Sequence, residues 1–176
     1  MGYWGVRAAL LFAVLCAFAL VLAGCPFASD QPLSDPATAS VDQALLGAWT
    51  AKDPETGETH TITFLAFDDH AMIGLTPADP GKGTDAYRVV ATQVGAETFL
   101  SAQELGTGDA HWTLLRYQFQ GRTLVLTPVD DNLFGDRSFS SPAELRSLVL
   151  ANLQNPRLYA AQGETRQDMV LQRAGK

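Results

Sequence analysis

From Val41 onwards, apolar and polar residues alternate in short runs separated by turn-forming residues. Within His60–Phe67, Ile62, Phe64 and Ala66 alternate with Thr61 and Thr63, the period of two expected of a half-buried strand. The same reading places strands over Leu46–Lys52, Ala71–Thr76, Ala86–Val94, Thr98–Glu104, His111–Gln120, Thr123–Val129, Arg157–Ala161 and Met169–Arg173. Asp53-Pro54 with Thr56-Gly57, Asp68-Asp69 and the stretch Pro77–Thr84 read as the turns and loops between them. Gly95-Ala96 and Gln120-Gly121 supply the permissive backbone of two-residue hairpins. One helix interrupts the series. Ser141-Pro142-Ala143-Glu144 combines a capping box with proline at the first helical position. Leu145, Leu148, Val149 and Leu153 then share one face, and Asn155-Pro156 ends the helix. The expected fold is mainly all-β: an antiparallel meander forming a small barrel or barrel-like sheet, with one helix near the C-terminus and the last strand closing the sheet.

Ahead of this part the pattern changes twice. Residues 8–23 are an unbroken apolar run behind a short segment whose only charge is Arg7, the layout of a secretory leader. The run is marginal against the roughly 20 residues that a membrane-spanning helix needs. It ends in Leu22-Ala23-Gly24-Cys25, which resembles the lipobox of bacterial lipoproteins. The resemblance implies cleavage after Gly24, a diacylglyceryl group on the Cys25 thiol and acylation of the freed amine. Two or more buried chains make such an anchor stable, at about 0.8 kcal/mol per buried methylene. It also implies the periplasmic face of an outer membrane in an organism that has one, because Pro26 stands where an inner-membrane lipoprotein typically carries Asp. N-myristoylation at Gly2 is disfavoured, since Val6 occupies the position that requires Ser or Thr. Residues Pro26 to Ser40 are rich in Pro, Ser, Ala and Asp and read as a flexible tether with a reach of roughly 20 Å. The expected organisation is a signal peptide over 1–24, a lipidated cysteine and tether over 25–40, and a single domain over 41–176.

Charge and cysteine usage narrow the partners. The formal net charge is −7, and loss of the leader removes Arg7 and no acid, leaving −8. An acidic chain without clustered Lys and Arg is a poor match for nucleic acid or an anionic lipid surface. Cys16 leaves with the leader and Cys25 carries lipid, so the mature domain is expected to hold no disulfide. The chemistry-bearing residues are thin. His60, His70 and His111 are not paired at ligand spacing. Asp68-Asp69-His70 reads as a polar turn rather than an acid–base site. Asp130-Asp131-Asn132 with Asp136 lacks the spacing and closing glutamate of a calcium loop. Gly81-Lys82-Gly83-Thr84 departs from the phosphate-loop pattern on both sides of the lysine, and no Gly-x-Ser-x-Gly elbow is present. No enzyme activity, metal or cofactor is expected.

Gly47-Ala48-Trp49 resembles the Gly-x-Trp signature that opens lipocalin and calycin-like barrels. The resemblance implies that Trp49 plugs one end of the barrel and that an arginine of the last strand lies across its indole. Arg173 is the candidate for that role and Arg116 the alternative. Thr84-Asp85-Ala86-Tyr87 is a loose echo of the family's second motif. The competing reading makes Trp49 a large core aromatic on an edge strand. Two functional classes follow. One is a lipid-anchored binding or docking module for another envelope component. The other is a lipocalin-like carrier of a small apolar ligand, its cavity lined by Ile62, Phe64, Leu124 and Leu126. Docking is favoured, because nothing specifies a ligand. Inward residues as large as Ile62, Phe64, Tyr87, Leu124 and Leu126 are also expected to fill most of the interior.

Overall fold

The computed structural model describes residues 27–53, 56–77, 83–108, 110–135, 137–159, 161–162, 165–166 and 168–175. Residues 1–26, with Leu22, Ala23, Gly24 and Cys25 among them, lie outside the described residues, as do Gly81, Lys82 and Asp136. The strands are β1 (Ala28–Ser29), β2 (Gly47–Lys52), β3 (Thr59–Ala66), β4 (Met72–Pro77), β5 (Thr84–Val94) and β6 (Glu97–Glu104). They continue with β7 (Trp112–Gln120), β8 (Thr123–Pro128), β9 (Ala161–Gln162), β10 (Thr165–Arg166) and β11 (Met169–Arg173), and the helix α1 spans Pro142–Ala151.

Strands β2 to β8 each pair antiparallel with the next, and β11 pairs with both β8 and β2. The result is a closed, eight-stranded antiparallel barrel, which leaves no long bare sheet edge. Two of its hairpins turn on glycine. Val94 pairs with Glu97 across Gly95-Ala96, and Gln120 pairs with Thr123 across Gly121-Arg122. Gly95 and Gly121 have φ of 61° and 62°, and no described non-glycine residue has positive φ. That combination is the type II′ pattern, which matches the twist of the flanking strands. The second turn therefore sits one residue beyond Gln120-Gly121.

Side chains alternate across the barrel wall, and both faces carry a core. Inside lie Leu45, Trp49, Phe64, Met72, Val89, Leu100, Tyr117, Leu124, Leu126 and Leu171. Outside, Val94, Phe99 and Leu114 pack with Leu145 and Val149 of α1 and with Phe27, Leu33, Val129, Phe134, Phe139, Leu158 and Tyr159. The helix forms as its cap dictates: the Ser141 hydroxyl accepts from the Glu144 N–H. The Glu144 carboxylate reaches back to Ser140 rather than Ser141, accepting from its N–H and hydroxyl. Those bonds hold the Glu144 pKa below the ordinary carboxylate value.

Two expectations need correction. The segment Pro26–Ser40 was expected to be a free tether, but from Phe27 it is packed on the outer wall. Phe27, Leu33 and Ala39 are buried, β1 pairs with Thr113 and Trp112 of β7, and the Leu33 N–H donates to Ser101 Oγ at 3.0 Å. The physical reason lies in the wall. Outward Val90, Phe99, Trp112 and Leu114 are apolar and need cover, and three well-spaced apolar side chains provide part of it. The polar residues between them make turns, as where Asp35 Oδ1 accepts from the Ala37 N–H. The second correction concerns Arg157–Ala161, expected as a strand. Pro156–Leu158 is a 3₁₀ turn capped by the Asn155 side chain, which accepts from the Arg157 N–H. Tyr159 then makes a single bridge to Val129.

Candidate functional site

One end of the barrel is plugged. Residues 41–46 cross it, and the Trp49 Nε1–H donates to the Leu45 carbonyl at 2.7 Å. The Arg173 guanidinium lies 5.1 Å from the Trp49 ring centroid and donates to the carbonyls of Ala44 and Leu46 at 3.2 and 2.6 Å. A cation over an indole and two bonds to otherwise orphaned carbonyls fix the plug. Gly47 carries φ of 116°, and a Cβ there would stand 3.3 Å from Arg173 Nη2. Glycine is thus needed both for the backbone and for the arginine. The Tyr117 hydroxyl donates to Asp42 Oδ2 at 2.8 Å. Burial, then that hydrogen bond and charge, push the Tyr117 pKa well above the ordinary phenol value.

The other end differs. Counting inward positions from the register, the plugged half carries buried Trp49, Phe64, Met72, Leu100, Tyr117, Leu124 and Leu171, with Ala91 and Thr98 partly buried and Ala66, Gln93 and Phe119 exposed at its outer edge. In the far half the inward residues Ala51, Ile62, Tyr87, Ala102, Leu115 and Met169 belong to the same apolar cluster but are only partly buried. They come from six different strands, so the opening is the interior itself rather than one frayed edge. Pro128 is the buried exception on this level. The barrel is in this sense a cup: packed side chains close its base, and apolar side chains stay partly accessible at its mouth.

The rim of the cup is polar. Thr76, Asp85, Glu104 and Thr113 also face inward near the mouth, each partly buried. Tyr87 and Glu104 are register partners, as are Thr76 and Asp85. The Tyr87 phenol bonds the Thr76 side chain. Its pKa is raised by burial and then by the charges of Glu104 and Asp85, which brings both carboxylates within electrostatic reach of one hydroxyl. His60, opposite Ala51, faces the same space. Within the eight barrel strands, no Lys or Arg of the described residues falls on an inward position in this half.

The candidates read from sequence distribute as follows. Ile62, Phe64, Leu124 and Leu126 all face inward, but Phe64, Leu124 and Leu126 belong to the packed base and only Ile62 lines the open part. Trp49 meets Arg173, whereas Arg116 is on the outer wall, 4.5 Å above the Tyr159 ring and 3.8 Å from Glu97. Thr84–Tyr87 opens β5 rather than forming a turn. Asp68 is a turn cap: its carboxylate accepts from the N–H groups of His70 and Ala71 at 2.7 Å each, which lowers its pKa. His70 Nδ1 donates to the Ala39 carbonyl at 2.7 Å and ties down the outer segment. Among the described residues, no group of three or more His, Cys, Asp or Glu could hold a metal ion. The open-half residues Ala51, Thr76, Ala102, Glu104, Leu115 and Met169 were not singled out from sequence. The signal among them is the small size of Ala51, Thr76 and Ala102 at one level of the barrel, visible only once the strand register is known. Comparisons with family models, curated proteins and solved structures find no match to this chain.

Proposed function

We propose that this is a lipid-anchored envelope protein whose lipocalin-like barrel carries one small amphiphile in the open half of its interior. The observation that supports the carrier reading is the split in burial along a single inward face. Ala51, Ile62, Tyr87, Ala102, Leu115 and Met169 keep apolar surface partly accessible at the mouth of the barrel, the character of a small-molecule site with a few polar groups at its edge. Asp85, Glu104, Tyr87 and Thr76 define that edge. Their chemistry favours an apolar body bearing a cationic or hydrogen-bond-donating head, and it disfavours a free carboxylate. The lipobox at the end of a leader supports the anchor.

The test uses the mature chain carrying Cys25→Ser and two fluorescent probes of equal chain length, one an alkylamine and one an alkyl carboxylate. The alkylamine should bind saturably, one molecule per chain, and about tenfold tighter than the carboxylate, the difference that about 1.4 kcal/mol of charge discrimination produces. Ala102→Trp should abolish binding of both while leaving the unfolding midpoint in place. Absence of saturable binding by either probe refutes the carrier reading.

A second reading, a docking module, is supported by Leu65 and Phe67. They project from the outer face of β3 and its end with exposures of 48% and 65%, an unusual pair for a free surface. Changing both to Ser should then abolish capture of an envelope partner while probe binding persists.

A further inference from the structure

We infer that the mouth end of the β2–β3 hairpin is a flap, which swings as a unit and admits ligand sideways into the barrel. What it admits rests on the carrier reading above; the motion rests on strand pairing and burial alone. β3 pairs with β4 from Ala66 opposite Met72 only as far as Thr63 opposite Leu75. β2 pairs with β11 only where Trp49 meets Arg173 and Thr50 meets Gln172. Beyond those levels the two strands stay paired with each other, Ala51 with His60 and Lys52 with Thr59. The flanking walls are paired to their own ends, β4 with β5 out to Pro77 and Thr84, and β11 with β8 out to Met169 and Leu126. Among the described residues, the end of the hairpin therefore continues the sheet register on neither side. The sequence supplies a cause for one split. Continued register would set Thr61 opposite Pro77, which has no N–H to donate across the seam.

Packing does not fasten this end either. Trp49 and Phe64 are buried, whereas Lys52, Glu58 and Thr59 are exposed and Ala51, His60, Thr61 and Ile62 are partly covered. A segment with so little buried apolar surface belongs to the low end of local stability. Its own bonds nevertheless hold the two arms together. The Asp53 N–H donates to the Glu58 carbonyl at 2.8 Å, and Asp53 Oδ1 accepts from the Thr56 N–H at 2.8 Å. The hairpin end thus moves as one body about the line joining Thr50 and Thr63, rather than fraying strand from strand. Ala51 and Met169 flank one split and Ile62 and Thr76 the other. Ala51, Ile62 and Met169 belong to the inner apolar cluster, so either opening leads directly to the interior.

The experiments use the mature chain carrying Cys25→Ser, in which no other thiol competes for label. Spin labels on Thr59→Cys and Arg122→Cys measure the hairpin end against the plugged end. Labels on Thr84→Cys and Arg122→Cys measure a mouth strand that is paired to its tip. All three positions are exposed. The first distance distribution should be about twice as wide as the second, as hinge motion of a whole element produces. Equal widths overturn the flap whether or not any ligand binds. Two disulfides then close the splits from outside, Lys52→Cys with Val170→Cys and Thr61→Cys with Pro77→Cys, at outward positions. Oxidised together, they should slow both association and dissociation of the alkylamine probe by about tenfold, as locking a gate does. The Kd should stay within about twofold, since a gate changes both rates alike, and dithiothreitol should restore them. Unchanged rates overturn the gate, as does a weaker Kd with association intact. Failure of either disulfide to form also overturns it, because a swinging flap must bring those strands together. Absence of saturable binding in the unmodified chain sinks the carrier reading instead, and the spin-label widths then decide the motion by themselves.

Discussion

Trp49 is fixed from three directions: the Leu45 carbonyl accepts its indole N–H, the Arg173 guanidinium covers one side, and the Phe119 ring stands 5.8 Å away. Truncation to Ala empties the plug and should cost about 3–5 kcal/mol, as for other large buried aromatics, read from urea unfolding. Arg173→Met keeps the stem and loses the head, so it should cost less, about 1–2 kcal/mol. An equal loss in the two variants would mean that the arginine, not the ring, supports this end. Tyr117 makes a different prediction. Its phenol is buried against the Asp42 carboxylate, and its pKa is raised by burial first and by that bond second. In the unfolded chain a tyrosine ionises near pH 10, while folded Tyr117 keeps its proton above that. Between the two values the native state holds more protons than the unfolded state, so stability must fall as pH rises. Below about pH 10 the contribution is intact. Tyr117→Phe should flatten the alkaline slope of stability measured from about pH 8 to 11, and an unchanged slope refutes the assignment.

The barrel strands were legible wherever a turn bounded them. Asp68-Asp69, Gly95-Ala96 and the glycine at 121 mark three hairpins, and the alternation of Ile62 and Phe64 with threonines sets a face. The neighbours Phe99 and Leu100, or Leu114 and Leu115, alternate no polarity because β6 and β7 are apolar on both sides. That loss of contrast was the available sign that something covers the outer wall. The covering segment itself was not legible as packed. Composition over Pro26–Ser40 averages away Phe27 and Leu33, whose partners are far off in sequence. Its contribution is measurable. Phe27→Ala should cost about 3–5 kcal/mol and Leu33→Ala about 2–5 kcal/mol. Both should expose the bonds between Phe27 and Leu45 to limited proteolysis, which the native chain should resist. Probe binding in the cup should survive both changes, because the outer and inner cores share a wall but no side chains. Resistance unchanged by either substitution would restore the free tether.

At the scale of the molecule, alternation told which residues face inward but not whether they meet in the middle. The large inward side chains that underlie the expectation of a mostly filled interior are concentrated in the plugged half. There the inward residues are Trp49, Phe64, Met72 and Tyr117, whereas the mouth level carries Ala51, Thr76, Ala102 and Thr113. Ile62, Tyr87, Leu115 and Met169 are large but belong to four different strands, so how closely they approach one another is not readable from size alone. Closure has a kinetic side. The strand that completes the barrel, β11, follows the other seven barrel strands in sequence, and its Arg173 pairs with Trp49 near the start of the sheet. Until it arrives, β2 and β8 are two bare edges at opposite ends of a curled ribbon, the arrangement most prone to pair with another chain. Contacts of such sequence separation also form slowly. A chain emerging from synthesis N-terminus first therefore waits, open on both sides, for β11. The hazard of aggregation is concentrated in that interval, and the loss of a few residues around Leu171 would make it permanent.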